Sequence, residues 1–166
     1  MKAMVLAAGL GTRLRPLTYE IPKPMVPVLD RPVMAHIADL LDRHGFDDVV
    51  ANLHWFPETI TGYFGDRIEW RHEKELLGTA GGVRNCADFF GDESFLVISG
   101  DALTDLDLTA AAARHAESGG IATLCVKRVP DTREYGVVVH DGDGRVTGFQ
   151  EKPDPAEALD RARQRP

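Results

Sequence analysis

Cysteine is scarce in this 166-residue sequence, which holds two, Cys86 and Cys125, far apart and with no Cys-x-x-Cys or His pair nearby. That spacing gives neither a zinc site nor a disulfide framework, so both thiols are expected to be reduced core residues. Long apolar runs are missing too. None approaches the roughly 18 residues of a membrane span, and the N-terminal stretch MKAMVLAAGLGTR lacks the basic start, long apolar middle and small-residue cleavage site of a secretory signal. The chain is therefore expected to be soluble and cytoplasmic, with no membrane partner. Positive charge is also in short supply, with 19 Lys and Arg against 26 Asp and Glu and a net charge of −7. A nucleic-acid surface is poorly served by that balance.

What is present is a chain long enough, and at 43% hydrophobic apolar enough, for one domain with its own core. Its charge is unevenly spread. Lys2, Arg13, Arg15 and Lys23 face Glu20 alone within the first 28 residues, a local excess of positive charge on an acidic protein. Such a patch suits a small anionic ligand. Short apolar runs, at Met4–Ala8 closed by Gly9 and at Val49–Ala51, Phe95–Ile98 and Ile121–Val126, read as buried parallel strands. Helical patterns lie between them, over Val33–His44, Glu58–Phe64, Thr79–Phe90 and Leu108–Glu117, the last opened by Asp107 as N-cap. This alternation predicts an α/β fold with a doubly wound, mostly parallel, Rossmann-like sheet. Tyr135–Val139 and Arg145–Phe149, joined by Asp141-Gly142-Asp143-Gly144, predict a C-terminal β-hairpin. One domain is expected over residues 1–153, and 154–166 is expected to be a polar tail forming at most a short exposed helix.

Directly after the first strand comes Gly9-Leu10-Gly11-Thr12-Arg13-Leu14-Arg15-Pro16-Leu17-Thr18. A dinucleotide fingerprint would place a third glycine at position 14 and run on into a helix; Leu14 stands there, and Pro16, Pro22, Pro24 and Pro27 forbid a continuous helix. The Walker spacing is absent as well. What remains is a glycine turn whose backbone N–H groups can approach phosphate, with arginines just beyond it and Lys23 in the same extended segment. A tight turn with solvated arginines would look the same on Gly-x-Gly alone.

Further blocks follow in order: Pro22-Lys23-Pro24-Met25, Leu77-Gly78-Thr79-Ala80-Gly81-Gly82, Ser99-Gly100-Asp101, Glu134-Tyr135-Gly136-Val137-Val138 and Phe149-Gln150-Glu151-Lys152-Pro153. With the glycine turn, these blocks resemble the sugar-1-phosphate nucleotidyltransferases from Lys2 to about Pro153, and among the branches of that family the mannose-1-phosphate guanylyltransferases most. The resemblance implies attack by a sugar-1-phosphate on the α-phosphorus of a nucleoside triphosphate, giving a nucleotide sugar and pyrophosphate. Because the nucleophile is already an anionic phosphate oxygen, such chemistry needs no general base. It needs two polyanions aligned by fixed cations and a metal.

By the same resemblance, Arg13, Lys23 and Asp101 are the catalytic residues, and Asp101 carries Mg²⁺. Ala8, Gly9, Gly11, Thr12, Arg13, Glu73, Gly78 and Thr79 are expected to bind the nucleotide, and Tyr135, Gly136, Glu151 and Lys152 the sugar phosphate. Glu73 is placed to read the base: a carboxylate can accept from both N1–H and the 2-amino group of guanine, so GTP, with mannose-1-phosphate, is favoured. The competing reading of the run His72-Glu73-Lys74-Glu75 is a solvated surface acid. The competing readings are a glucose-1-phosphate thymidylyl- or uridylyltransferase and a non-catalytic, nucleotide-sugar-binding regulatory subunit. Asp105 and Asp107 read as turn and capping residues, and the six histidines as structural or exposed. The resemblance also implies a later Asn-x-Gly strand, which completes the sugar pocket, and a second metal aspartate. Neither is in this sequence, so the chain is expected to be the N-terminal part of a longer enzyme, weakly active alone, with homo-oligomerisation open and a trimmed loop between Phe64 and Glu73.

Overall fold

Strand β1 (Lys2–Leu6) has Ala3, Met4 and Val5 buried in succession, the mark of a strand covered on both faces. The computed structural model, which describes residues 1–154, places it inside a four-stranded parallel sheet. The segment after it cannot extend as a helix because of its prolines, and folds instead into three single 3-10 turns, Thr12–Leu14, Leu17–Tyr19 and Lys23–Met25. A small antiparallel ribbon, β2 (Pro27–Val28) and β3 (Arg31–Pro32), then leads into α1 (Val33–Arg43), β4 (Asp48–Leu53), α2 (Pro57–Phe64) and β5 (Glu69–His72). Helices α3 (Gly78–Asn85) and α4 (Ala87–Phe90), strand β6 (Leu96–Ser99) and α5 (Leu108–Ser118) complete a first compact unit, Met1–Gly119.

Side-chain alternation sorts the sheet's core into two layers. Ala3, Val5, Val49, Ala51 and Leu53 pack with Met34, Ile37 and Leu41 of α1, Ile60 and Phe64 of α2, and Leu108 of α5. Met4 and Val50 point the other way, onto Cys86 and Phe90 beside the α3–α4 junction. The sheet is doubly wound as expected. Its order is β5-β4-β1-β6: the chain moves outward from β1 through β4 to β5, then returns to the far side of β1 with β6. The direction of winding therefore reverses between β1 and β6. Doubly wound sheets open a crevice at that point, beyond the carboxyl ends of the strands.

Three expectations need correction. Ile121–Val126 forms no strand, and Ile121 is fully exposed: an apolar run becomes a strand only by pairing, and among the described residues no strand pairs with it. Cys125 falls in that segment and is exposed, so of the two thiols only Cys86 is a core residue. The helix drawn over Thr79–Phe90 is broken at Cys86 into two short pieces. β5 was not foreseen: as an edge strand it exposes Glu69 and His72 and so lacks an apolar run.

The second unit begins at Gly120. Its β7 (Gly136–His140) and β8 (Val146–Glu151) form the expected hairpin, with a register irregularity at Val139/His140. The Asp141 carboxylate closes the turn by accepting from the N–H groups of Asp143 (3.1 Å) and Arg145 (2.9 Å). The expected tail helix lies outside the described residues.

Candidate functional site

At the carboxyl ends of the strands the first unit opens into a cleft of about 530 Å³, within the range of small-molecule sites. One wall is the turn after β1. Gly11 sits at φ +62°, and a Cβ there would lie 2.8 Å from Cγ2 of Thr18 and 3.0 Å from Cβ of Lys23. Thr18 is buried, donates its hydroxyl to the Gly11 carbonyl (2.8 Å), and has its own carbonyl held by the Trp55 indole N–H (3.0 Å). Gly9 differs, since a Cβ there would meet nothing within 4 Å. Its value is the open space it leaves at the cleft mouth.

This locked turn presents Ala8, Gly9, Gly11, Thr12 and Arg13 to the cleft. Arg15 does not line it; its guanidinium lies 5.0 Å from the Tyr19 ring centroid, a cation–π contact. Lys23 enters from the Lys23–Met25 turn and forms an ion pair with Asp101, just beyond β6. Gly100 brings that aspartate close, because its N–H donates to the Leu6 carbonyl (2.9 Å) and a Cβ there would stand 3.0 Å from the same oxygen. The Ser99 hydroxyl also donates to the Asp101 carboxylate. Burial would raise the Asp101 pKa, but hydrogen bonds from Lys23 and Ser99 and the Lys23 charge outweigh it and hold the carboxyl below its ordinary value. Asp101 is thus an anion poised between a cation and a hydroxyl.

The opposite wall holds Glu73, Gly78 and Thr79. Glu73 is buried, at 6% exposure, which removes the solvated-surface reading of its charged run. Its Oε1 accepts from Nδ2 of Asn52 (2.8 Å) and its Oε2 from the Leu77 N–H (3.1 Å). Asn52 and Ser99 both line the cleft and were missed from the sequence. For Asn52 the signal existed, a lone amide inside the apolar run Val49-Val50-Ala51-Asn52-Leu53.

Among the described residues no group of three or more His, Cys, Asp or Glu could enclose a metal ion. A magnesium site does not require such a cage, since Mg²⁺ commonly takes one or two carboxylates and completes its shell with water and substrate phosphates. The ionised, cleft-lining Asp101 fits that donor set. In the second unit, Tyr135, Gly136, Glu151 and Lys152 gather at the open end of the hairpin: Gly136 pairs with Glu151, and the Lys152 N–H donates to the Tyr135 carbonyl (3.1 Å).

Comparison with known proteins bears on this arrangement. The nucleotidyl transferase family model matches residues 2–164. A UTP–glucose-1-phosphate uridylyltransferase of Synechocystis sp. is 46% identical over 178 residues, covering 96% of this chain and 46% of the relative. A mannose-1-phosphate guanylyltransferase of Mycobacterium tuberculosis is 36% identical over 156 residues, covering 90% of this chain and 44% of the relative. The chain thus spans about half the length of the curated relatives it matches. Among solved structures, UDP-glucose pyrophosphorylase from Acinetobacter baumanii superposes with a TM-score of 0.82 at 25% identity, covering 94% of this chain and 68% of that one. HddC from Yersinia pseudotuberculosis, complexed with GMP-PN, gives 0.74 at 26% identity, covering 92% and 70%. A glycine turn and a carboxylate meeting at the switch point of a doubly wound sheet, with a family match across nearly the whole sequence, lead to one assignment: the chain belongs to the nucleotidyl transferase family.

Proposed function

We propose that this chain carries the nucleotide-binding part, and much of the catalytic apparatus, of an enzyme that transfers a nucleotidyl group from a nucleoside triphosphate to a sugar-1-phosphate. The observation that carries the reading is the convergence of the glycine turn, Arg13, Lys23 and Asp101 on one cleft. In this reading the backbone N–H groups of the turn approach the triphosphate, and Arg13 holds it and the departing pyrophosphate. Lys23 neutralises charge where the phosphates of the two substrates approach each other. Mg²⁺, when bound, supplies further neutralisation at the α-phosphate, and Asp101 would hold it. The sugar phosphate oxygen attacks as the anion it already is, so the side chains orient and stabilise and no proton need be removed. Tyr135, Gly136, Glu151 and Lys152 are assigned to the sugar phosphate on the same reading.

Two base preferences have support. The cleft-lining carboxylate of Glu73 favours GTP, with mannose-1-phosphate as partner, because guanine offers two adjacent donors. The 46% identity to a uridylyltransferase favours UTP with glucose-1-phosphate. Calorimetric titration of the chain with GTP, UTP and dTTP in the presence of Mg²⁺ separates them. Whichever nucleotide binds, Arg13→Ala should weaken it roughly 10- to 100-fold, the effect of one charge-assisted hydrogen bond. Unchanged affinity would remove Arg13 from the site.

A further inference from the structure

Asn52 is an amide on a buried strand, 3% exposed, and Glu73, its partner, is 6% exposed. Buried polar groups of this kind must find partners, and the partners fix their orientation. Oδ1 of Asn52 accepts from the N–H of Ala7 (2.9 Å), the first residue after β1. Nδ2 donates to Oε1 of Glu73, whose Oε2 accepts from the Leu77 N–H at the start of α3. Both ends of this series are backbone N–H groups, which can only donate. Asn52 must therefore turn its oxygen toward Ala7 and its amino group toward position 73, and position 73 must accept on both sides. A carboxylate meets that demand and an amide does not.

We propose that Asn52 and Glu73 form a positioning pair of fixed donor–acceptor direction, which ties the root of the glycine turn to the start of α3 and so sets the spacing of the two cleft walls that hold the nucleotide. The proposal rests on the nucleotide reading of the cleft. A separate observation marks the pair as a built feature. Gly82, on α3, faces it so closely that a Cβ would lie 2.7 Å from Nδ2 of Asn52 and 3.0 Å from Oε1 of Glu73. The backbone of Glu73 is held as well, its N–H donating to the Leu53 carbonyl (2.8 Å) and its own carbonyl accepting from Nδ1 of His54 (2.9 Å). Glu73 can thus offer a base only those lone pairs that Asn52 and Leu77 leave free. Its part in base choice depends on Asn52.

The test is a direction swap. Asn52→Asp alone sets two carboxylates against each other, and Glu73→Gln alone sets an amino group against a donor. In the double variant the new carboxylate at position 52 accepts from Ala7 and from the new amide at 73, whose oxygen accepts from Leu77. Each single variant should lower the thermal midpoint by about 2 to 10 °C and the affinity for GTP or UTP roughly 5- to 100-fold, with faster amide exchange at Ala7 and Leu77. The double variant should recover most of the midpoint, of the exchange protection and of the UTP affinity, whereas GTP affinity, which also draws on the carboxylate at position 73, should return only in part. If its losses in midpoint and exchange protection equal the sum of the two single variants, the pairing is wrong. If the unmodified chain binds neither nucleotide, the nucleotide reading fails, while amide exchange and midpoint still decide the pairing. Should a single variant not fold, Gly82→Ala, which pushes on the same two atoms, should accelerate exchange at Ala7 and Leu77; unchanged exchange there would overturn the proposal.

Discussion

Gly11 shows how one residue can be fixed twice over. Its φ of +62° lies where side chains are disfavoured, and the space beside it is already filled by Thr18 and Lys23. Gly11→Ala should therefore cost both the left-handed penalty, about 1 to 2 kcal/mol, and an overpacking penalty of about 1 to 3 kcal/mol. Urea denaturation of the variant should show its midpoint lowered with the slope unchanged, and a midpoint within error of the parent would mean the turn can re-form around a side chain. Gly9→Ala should leave the midpoint almost unmoved, since nothing stands near its Cβ. The sequence marked both glycines alike, because Gly-x-Gly carries no information about what folds back against it. The same limit hid the partner of Asn52, whose lone amide stands out in an apolar run but finds Glu73 only when the loop carrying that residue is brought alongside. Ser99 lies two residues before Asp101, and nothing in the residue types shows that its hydroxyl turns to that carboxylate.

The elements were more legible than their ends. α1 declares itself by apolar residues at helical spacing, all on the side that meets the sheet, and β1 and β4 by short runs buried on both faces. β5 could not be read so, because its identity comes from pairing with β4 at an edge. Ile121–Val126 shows the converse, an apolar run without a neighbouring strand among the described residues. α1 also joins its neighbours through charge. Asp39 accepts from Arg31 of the β2–β3 ribbon (2.7 Å) and from Arg67 after α2 (3.4 Å). Burial raises the Asp39 pKa, yet the hydrogen bonds and charges of Arg31 and Arg67 together take it below the ordinary 3.8. A carboxyl with a lowered folded pKa stabilises fully above its unfolded value and loses that contribution as pH falls through the folded one. Asp39→Asn should therefore be slightly less stable at pH 7, by less than about 1 kcal/mol because the pair is solvent-screened. The gap should close below about pH 4 and shrink in high salt. Thermal melts of both proteins from pH 7 to 3 check this, and a gap that stays constant across the range would exclude the ion pairs as its source.

Across the whole molecule, stability should be distributed as unevenly as burial. In the first unit Met4, Val5, Val50 and Ala51 are at most 1% exposed and lie on adjacent central strands, so their amides are released only when the sheet opens. The described part of the second unit is organised differently. No residue of β7 or β8 is fully buried, Phe149 is 71% exposed, and one ladder supplies all the strand pairing. Two-stranded hairpins with no fully buried side chain are marginal in water, because the backbone entropy of ordering them is offset by little apolar burial. Amide hydrogen exchange at neutral pH should then divide the chain by unit, with Val138 and Val139 exchanging at least about 10³-fold faster than Val50 and Ala51. A variant that weakens the central core, Phe90→Ala, should raise the rate at Val50 and leave the hairpin rates where they were, because the hairpin's opening would not pass through the sheet. Protection at Val138 equal to that at Val50, moving with it in the variant, would show instead that both units open in a single cooperative step.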